Sequence, residues 1–448
     1  MNDTTRRTFV RTAAAVTAAS YGRILGANDR VRMGYIGLGN RGDQVHEAHL
    51  EFSDSQTVAV CDLRDEYMDL AAKKSRGNPT RYKDYRKLIE DKNVDAVVIA
   101  TPDHWHALQF VDACHAGKDV YCEKPFALTV SEGRRMVEVA QQTKRIVQVG
   151  LQRRSNKALQ EAAAFVREGG IGQPTVAKGY HLYNEWPNGI GSGDDSYKMT
   201  EEMWDKWLGP APKIPFNANR GFYRFRWFYN YSGGQVTNFG VHYVDMLRWC
   251  LGVDSAKAVT ALGGHYVNKD NREIPDTCEI LWEYPAKDGP VMMVFSQYNA
   301  NNAPANPRST EMEIRGTKGT IYIDLTGWEV VPQKYTDTLV PARTPIDRET
   351  EKSYGPSRKE TIQPKKVTTR VDNQAHARNF LDCIKARNVK TNCDALTGHL
   401  STSGPLIGNI ALRTKSYLEW DGKAEKFTNN AAANKLLSYQ YRAPYKLG

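Results

Sequence analysis

The residues with the clearest chemistry form a glycine-rich turn near the start of the chain. Gly37, Gly39 and Gly42 have Gly-x-Gly-x-x-Gly spacing and follow a β-branched and aromatic run. In such a turn the first glycine permits a tight bend, the second admits a pyrophosphate, and the third lets helix and strand pack closely. The following helix would offer free N–H groups to the anion. The residues predicted to contact a dinucleotide here are Gly37, Leu38, Gly39, Asn40, Arg41 and Gly42.

A carboxylate lies where such a nucleotide site needs one. Asp62 ends the apolar run 57–61, about 20 residues beyond Gly42, and an acid at that distance typically bonds a ribose hydroxyl. Its charge would repel a 2′-phosphate, whereas Arg64 would attract one. We therefore expect NAD as the cofactor, with NADP as the alternative, and we include Leu63 in the predicted site.

Lys124 is the sharpest catalytic candidate, because it follows a predicted strand and lies between Glu123 and Pro125. An ammonium at this place could hydrogen-bond a substrate hydroxyl and favour loss of its proton as hydride leaves. Partial burial would lower the pKa of the lysine and let it carry that proton. The alternative is an ordinary solvated lysine. We predict a catalytic role for Lys124 and a cofactor contact for both Glu123 and Lys124.

A second group of polar residues occurs at 233–245. Spacings of four and three place Asn238, His242 and Asp245 on one face of a predicted helix, with Thr237 as its N-cap. Imidazole titrates near neutral pH, so His242 suits a general base acting on a hydroxyl. A structural histidine is the alternative.

These residues must be positioned by the alternating elements of the first 151 residues. Apolar runs alternate with helical segments, which predicts a doubly wound parallel sheet. The predicted strands are 31–36, 57–61, 94–100, 119–123 and 145–149, and the predicted helices are 41–52, 65–75, 83–91, 104–117 and 131–143. Such sheets bind ligands beyond the carboxyl ends of their strands, so polar groups at those ends should converge.

The strand ends therefore supply further candidates. We predict that Thr101, Pro102 and His106 contact the cofactor and that Gln152 and Arg153 contact the substrate. For His106 and its neighbour His104, a purely structural place at a helix start is an equally good interpretation.

From 152 onward the pattern changes to successive strands, which is typical of an antiparallel sheet. The predicted strands are 175–183, 256–266, 276–284, 291–299, 310–316 and 319–324. The polar segment 333–370 is predicted to be a surface excursion, and the helical segments 373–386 and 397–414 should return to the body. We therefore divide the chain into 1–28, 29–151 and 152–448.

The segment 1–28 is predicted to be an export signal. Arg6 and Arg7 precede a modest apolar run, and together they resemble a twin-arginine signal for proteins exported in the folded state. A disordered basic tail is the alternative. We expect a periplasmic or otherwise exported protein whose nucleotide is inserted before export.

Composition excludes several classes of protein. The net charge of +10 is spread along the chain without a nucleic-acid-binding motif, so we expect no nucleic-acid partner. The chain has no apolar run of about 18 residues, so we expect no membrane span. The seven cysteines show neither a C-x-x-C pair nor the density of a disulfide framework, so we expect no metal site.

Glu123-Lys124-Pro125, placed after a Gly-Leu-Gly-Asn-Arg-Gly turn, resembles the glucose–fructose oxidoreductase, inositol dehydrogenase and MocA (Gfo/Idh/MocA) family. The resemblance implies an α/β protein with an N-terminal Rossmann domain and a C-terminal α/β domain carrying a large open, mainly antiparallel sheet. It implies NAD(H) or NADP(H) in the crevice and sugars or cyclitols as substrates. It also implies a homo-oligomer, a dimer or a tetramer, formed through the open sheet.

The segment around His242 is similar to the family pattern Gly-Gly-x-x-x-Asp-x-Gly-x-His-x-x-Asp, with one departure. Asn238 stands where the family has its first acid. An amide can orient a hydroxyl but cannot accept its proton at neutral pH, so His242 and Lys124 would carry the proton. Asn238 and Asp245 are accordingly predicted to bind the substrate.

These inferences lead to one expected function and two alternatives. We expect an exported oxidoreductase that moves a hydride between a tightly held nicotinamide and a secondary alcohol of a carbohydrate. Some exported relatives are glycosidases that oxidise the sugar only transiently, and this chemistry is the first alternative. The second is a sugar-binding relative with impaired catalysis, which Asn238 motivates. The aromatic residues of 180–231 fit either sugar stacking or core packing, and Arg224 and Arg226 fit either carboxylate binding or solvation.

Overall fold

The computed structural model describes residues 30–191, 199–303, 310–335, 344–346, 349 and 359–448. The predicted export signal at 1–28 lies outside these residues, as does much of the predicted excursion at 333–370.

The first part of the chain forms a six-stranded sheet in which all strands are parallel and ordered β3-β2-β1-β4-β5-β6. The strands are β1 (Val31–Ile36), β2 (Ser55–Cys61), β3 (Thr80–Tyr82), β4 (Ala96–Ile99), β5 (Asp119–Cys122) and β6 (Val147–Val149). This order reverses beside β1, and the crevice at such a reversal is where nucleotides bind. The doubly wound sheet is confirmed, but β3 was not predicted. It is a short edge strand with two exposed residues, so it carries no apolar run.

Helices alternate with these strands as predicted. They are α1 (Asn40–Leu50), α2 (Asp65–Lys74), α3 (Tyr85–Glu90), α4 (Asp103–His115) and α5 (Val130–Thr143). Thr129 caps α5 through a capping box with Glu132, which fixes where the chain turns after the Lys124 segment.

The second part forms a ten-stranded sheet of order β16-β13-β12-β11-β7-β10-β9-β8-β17-β18. The strands of this sheet are β7 (Pro174–Leu182), β8 (Ala258–Gly264), β9 (Thr277–Ala286), β10 (Gly289–Tyr298), β11 (Met312–Gly316), β12 (Gly319–Asp324), β13 (Gly327–Pro332), β16 (Lys365–Thr368), β17 (Leu418–Asp421) and β18 (Lys426–Phe427). Two short strands, β14 (Lys334–Tyr335) and β15 (Lys359–Glu360), form a separate two-stranded ribbon. Among the described strands of this sheet, β7 and β10 alone pair in parallel, so the mainly antiparallel prediction is confirmed. Within the predicted excursion, β16 is a strand that pairs with β13 at the sheet edge, and its exposed, polar residues concealed it.

In the described part of the chain, the further helices are α6 (Lys157–Arg167), α7 (Glu201–Leu208), α8 (Gly234–Asn238), α9 (Gly240–Leu251), α10 (Gln374–Ala386), α11 (Ala395–Thr414) and α12 (Ala431–Asn434). Helices α6, α9 and α11 contribute to one core with the inner face of the large sheet. In that core Trp282 of β9 donates its indole N–H to the Gly404 carbonyl of α11 at 3.0 Å. A single apolar face therefore holds α9, which carries His242, against the sheet.

The late helices join the two parts, as predicted. Phe380, Leu381 and Ile384 of α10 are buried with Met33 and Tyr35 of the first sheet. Packing of this kind fixes α10 against the parallel strands. Within the part of the chain that the structure describes, every helix is too short or too polar to span a bilayer.

Candidate active site

In the glycine-rich turn, Gly37 and Gly42 have no room for a side chain, whereas Gly39 faces open space. Gly37 has φ +84, and a Cβ there would lie 2.8 Å from the Ala100 carbonyl carbon and oxygen. A Cβ on Gly42 would lie 2.0 Å from the Gly37 oxygen. By contrast, a Cβ on Gly39 would meet no atom of the described chain within 4 Å. Because α1 begins at Asn40 beside this open space, its unpaired N–H groups fit a pyrophosphate.

The carboxylate of Asp62 is fixed beside this turn by backbone N–H groups. It accepts hydrogen bonds from Leu38 N at 2.7 Å and from Arg64 N at 2.9 Å. The Arg64 guanidinium bonds to the Tyr67 hydroxyl and to Glu66, both at 3.1 Å. Leu63 packs beside a separate apolar cluster. Asp62 thus lies where a ribose contact was predicted.

The strand-end residues Thr101, Pro102 and His106 are closely packed. Pro102 is the N-cap of α4, and the Thr101 hydroxyl donates to Gln109 at 2.7 Å. The buried ring of His106 lies 2.8 Å from the Pro125 carbonyl oxygen and 2.9 Å from that of Thr101. Both ring nitrogens of His106 therefore face the backbone of the two loops that flank the crevice. A direct contact between this ring and a nucleotide stays a prediction.

His104 lies in an aromatic cluster, as its structural interpretation predicts. Its ring centroid lies 5.1 Å from that of Trp207 and 5.2 Å from that of Tyr231. Burial lowers the pKa of His104 to about 3, so the ring is neutral.

Lys124 reaches across the crevice to the second part of the chain. Its Nζ donates to the Asn238 side-chain oxygen at 2.6 Å and to the Asn238 carbonyl at 3.1 Å. The pKa of Lys124 is lowered to about 8, chiefly by burial; the Glu123 carboxylate opposes this shift and the charge of Arg226 adds to it. A lysine with such a pKa can give up and regain a proton near physiological pH.

Glu123 is buried, and each of its carboxylate oxygens accepts a hydrogen bond from a neighbouring residue. Arg41 Nε donates to Glu123 Oε1 at 2.7 Å, and the Lys124 backbone N–H donates to Oε2 at 3.1 Å. Arg41 also donates to the Asn373 side chain at 3.1 Å, which connects the turn to the late part of the chain. Glu123 therefore positions Arg41 and the Lys124 backbone, and a contact with the cofactor stays a prediction.

The helix predicted around His242 is interrupted. Thr237 is not an N-cap but lies inside α8, which ends at Asn238, and α9 begins at Gly240 after Phe239. The break puts Asn238 at the end of one helix and His242 in the first turn of the next. The amide of Asn238 donates to Gln235 Oε1 at 2.9 Å, which leaves its carbonyl facing Lys124.

His242 is buried and neutral. Burial lowers its pKa well below the usual value, and the charges of Lys124 and Arg153 lower it further. Its Nδ1 atom is buried and has no hydrogen-bond partner among the described residues. A neutral imidazole with an unused nitrogen, close enough to Lys124 to sense its charge, can accept a proton from a bound hydroxyl.

Asp245 and Arg153 lie in buried ion pairs. Arg154 Nε donates to both oxygens of Asp245, at 2.8 and 3.0 Å, and the Ser401 hydroxyl donates to Oδ1 at 2.5 Å. Arg153 pairs with Glu311 at 2.8 Å. Asp245 thus anchors α9, and substrate contacts for Asp245 and Arg153 stay predictions.

Gln152 differs from these two residues, because its side-chain oxygen is buried without a hydrogen-bond partner in the described part of the chain. The contact predicted between Gln152 and a substrate would give that oxygen a donor.

Sequence reasoning did not assign Asp103 and Ser232. The Ser232 hydroxyl donates to the buried Asp103 carboxylate at 2.5 Å, and the pKa of Asp103 is raised by burial. The charge of Lys124 acts on the same carboxylate. The position of Asp103 directly after a strand end could have indicated a role at the site. No feature of the sequence around Ser232, which precedes the Gly233 segment, indicated one. In the described ranges, no group of three or more His, Cys, Asp or Glu residues is arranged to hold a metal ion.

Two protein-family models match this chain. Residues 31–151 match the NAD-binding Rossmann fold of an oxidoreductase family, Gfo/Idh/MocA, and residues 177–327 and 356–447 match its C-terminal alpha/beta domain.

Relatives of known name match parts of the chain. An inositol 2-dehydrogenase of Salmonella paratyphi B is 36% identical over 156 residues, which cover 34% of this chain and 46% of that protein. The match thus spans less than half of that relative's length. A myo-inositol 2-dehydrogenase of Thermotoga maritima is 27% identical over 66% of this chain and 75% of its own. A glycosyl hydrolase family 109 protein of a Shewanella species is 31% identical over 32% of this chain and 39% of its own.

The fold is also similar to solved structures. The WlbA dehydrogenase from Bordetella pertussis, solved in complex with NADH and UDP-GlcNAcA, superposes with a TM-score of 0.62 at 19% identity. The match covers 88% of this chain and 98% of that chain. At this identity the similarity shows a shared fold.

Proposed function

The chain belongs to the Gfo/Idh/MocA oxidoreductase family, and from this premise we propose that it moves a hydride between NAD and a secondary alcohol of a sugar, cyclitol or glycoside. The observation that carries the proposal is the contact of Lys124 Nζ with Asn238 Oδ1 at 2.6 Å, beside the neutral, buried His242. Lys124 follows the carboxyl end of β5, at the sheet edge where the nucleotide site is built, and Asn238 meets it from the second part of the chain.

The chain's own residues orient the substrate and move its proton. The glycine turn and Asp62 would hold the nucleotide, which supplies a hydride acceptor when bound. Lys124 would bind the reacting hydroxyl and polarise it, with its position set by the Asn238 carbonyl. His242 would accept the proton, because its ring is neutral and Asn238 cannot take that role.

NAD fits the ribose end of the site better than NADP does. The fixed carboxylate of Asp62 disfavours a 2′-phosphate, and Arg64 is already engaged with Glu66 and Tyr67. These contacts support the choice of NAD.

The test begins with the nucleotide. Mass spectrometry of the small molecules released from purified protein should identify NAD. NADH absorbance should then rise when the protein is given at least one member of a panel of sugars, cyclitols and glycosides. Protein that neither carries nor binds NAD, or that reduces it with no member of the panel, would contradict the proposal.

A redox-neutral glycosidase is the second candidate, supported by the match to a glycosyl hydrolase family 109 protein. In this chemistry the sugar is oxidised transiently, a base removes the proton beside the new ketone, the aglycone leaves, and water adds before reduction. Release of a chromogenic aglycone without net NADH would favour this candidate over the first. NADH formation that matches product in amount would reject it.

We also propose export, supported by Arg6 and Arg7 ahead of an apolar run. Fractionation of cells should place the protein outside the cytoplasm, and replacement of both arginines by lysine should retain it inside. Retention of the unchanged protein in the cytoplasm would reject export.

A homo-oligomer is proposed as well, because the outer face of the large sheet exposes Leu262 and Met292. Light scattering of the purified protein should report a dimer or a tetramer, whereas a monomer at micromolar concentration would reject it.

A further inference from the structure

The inner face of β7 leads from the protein core to the mouth of the site. Alternate residues of a strand share a face, and Ala177, Gly179 and His181 point toward α9. A Cβ on Gly179 would lie 2.8 Å from the Tyr243 Cβ, so α9 crosses the strand in close contact at this point. Beyond Gly179, the strand runs out from beneath the helix.

Three nearly parallel rings continue this line. The centroids of His181 and Phe239 lie 4.4 Å apart with an interplanar angle of 19°, and those of His181 and Tyr183 lie 6.4 Å apart at 15°. The Tyr183 backbone N–H bonds to the Tyr298 carbonyl at 3.0 Å, which holds Tyr183 in line with the strand. We call Tyr183, His181 and Phe239 the aromatic ledge.

The ledge is open to solvent at both of its outer rings. Tyr183 is 54% exposed and Phe239 is 38% exposed, whereas His181 between them is 7% exposed. Core packing explains other aromatic residues of the segment 180–231, such as Trp207 and Tyr231, which are buried in one cluster. It does not explain two large rings that turn their surface to water on the inner face of the sheet.

The ledge adjoins the reacting groups through the chain itself. Phe239 directly follows Asn238, whose side-chain and backbone oxygens both bind Lys124 Nζ. The Phe239 carbonyl accepts the N–H of His242 at 2.9 Å. A molecule whose hydroxyl lies between Lys124 and His242 would therefore extend over Phe239.

His181 gives the ledge an uncharged centre with an unused polar atom. Its Nε2 is buried and lacks a hydrogen-bond partner among the described residues. Burial lowers the pKa of His181 to about 4, so the ring is neutral at physiological pH and presents a stacking surface.

We propose that the aromatic ledge binds the apolar face of a second sugar ring, one glycosidic bond away from the ring whose hydroxyl meets Lys124 and His242. The C–H face of a pyranose packs well on an aromatic ring, and apolar walls with few polar groups are typical of small-molecule sites. The substrate is then a glycoside of at least two rings rather than a free monosaccharide. This inference rests on the proposed function and narrows its substrate class.

The test is a binding comparison on the full chain with its nucleotide bound. Isothermal titration would use cellobiose, maltose and lactose as two-ring probes, and methyl glucoside and methyl galactoside as one-ring probes. At least one two-ring probe should bind about tenfold more tightly than its one-ring counterpart. Tyr183→Ala should remove most of this advantage, and Tyr183→Phe should retain it.

Tyr417→Ala is the matched control, because Tyr417 is 60% exposed and precedes β17, outside the ledge. It should leave the two-ring advantage unchanged. If no two-ring probe in the panel shows an advantage, or if Tyr183→Ala preserves one, the inference is overturned. Thermal unfolding of each variant excludes a loss caused by misfolding.

The outcome is separable from that of the proposed function, because titration needs no turnover. A Tyr183-dependent advantage without NADH formation would support the ledge and contradict hydride transfer. NADH formation from one-ring sugars, without tighter binding of any two-ring probe, would support hydride transfer and contradict the role of the ledge.

Discussion

The two walls of the cleft are built in different ways. The cofactor wall, made of Gly37–Gly42 and Asp62, uses backbone geometry, and its carboxylate is held by backbone N–H groups. The substrate wall, made of Asn238–Asp245, uses side chains whose partners come from elsewhere in the chain. Lys124 and Asn238 are 114 residues apart, and Arg154 and Asp245 are 91 apart.

This difference separates two kinds of failure. A change in the cofactor wall should act on nucleotide affinity, because backbone clearance decides whether the pyrophosphate fits. A change in the substrate wall should act on proton transfer or on the docking of α9, because side-chain partners do that work. Each of the following substitutions tests this separation.

The largest effect is expected from removing the groups that move the proton. Lys124→Ala and His242→Ala should each lower kcat by about 10²–10⁴-fold, the usual contribution of a positioned acid or base. Nucleotide content, measured by mass spectrometry, should stay at the level of the unchanged protein. Lys157→Ala, at an exposed lysine on α6, is the control. If these variants lose nucleotide together with activity, the two walls do not have separate roles in nucleotide binding and proton transfer.

The buried ion pair should dominate the stability of the substrate wall. Arg154→Leu leaves Asp245 buried without its guanidinium, which should lower the free energy of unfolding by about 3–5 kcal/mol. Urea unfolding measures this loss. The double variant Arg154→Leu with Asp245→Leu should recover most of it, because no uncompensated charge remains. A single variant as stable as the original protein would show that the pair does not anchor α9.

The glycines of the cofactor wall should respond differently from one another. Gly42→Ala places a methyl group 2.0 Å from the Gly37 oxygen, so the turn must shift. Overpacking of this kind costs about 1–3 kcal/mol, equivalent to roughly 5–150-fold in NAD affinity if the turn carries the cost.

Gly39→Ala is the paired variant, because its methyl group meets no described atom within 4 Å. It should lower NAD affinity, measured by fluorescence titration, without lowering the melting temperature. Unchanged affinity in Gly39→Ala would show that the pyrophosphate does not lie over this glycine.

The smallest expected effect is a shift in pH dependence. The pKa of Lys124 is about 8, so kcat/KM should fall as pH rises through about 8, because the ammonium that polarises the hydroxyl loses its proton. Asn238→Asp places a carboxylate beside the ammonium, which favours the charged form and raises the pKa. The falling limb should therefore move upward by about 1–2 pH units.

Asn156→Asp, at the N-cap of α6, should leave this profile unchanged. If the pH profile of kcat/KM does not move in Asn238→Asp, then Lys124 is not the group whose titration controls it. His242 should contribute no limb near neutral pH, because its pKa lies well below the usual value.

Sequence reasoning succeeded where a structure depends on neighbours along the chain. The strand, turn and helix around Gly37–Gly42 and the acid Asp62 form within about 30 residues, which is the size of one βαβ unit. The helix break at Phe239 was missed, because apolar periodicity continues through it. The edge strands β3 and β16 were missed, because pairing with a neighbouring strand, rather than their own composition, makes them strands.

The amino-acid sequence by itself determined the parallel sheet, the glycine turn and the identity of Lys124 and His242 as candidates, because turn chemistry and strand ends are local properties. Only the tertiary structure decided which groups meet. It brought Lys124 to Asn238, occupied both oxygens of Asp245, turned both nitrogens of His106 toward backbone carbonyls, and left Tyr183 and Phe239 open. The physical reason is that burial and hydrogen bonding between distant segments are settled by packing, on which local spacing carries no information.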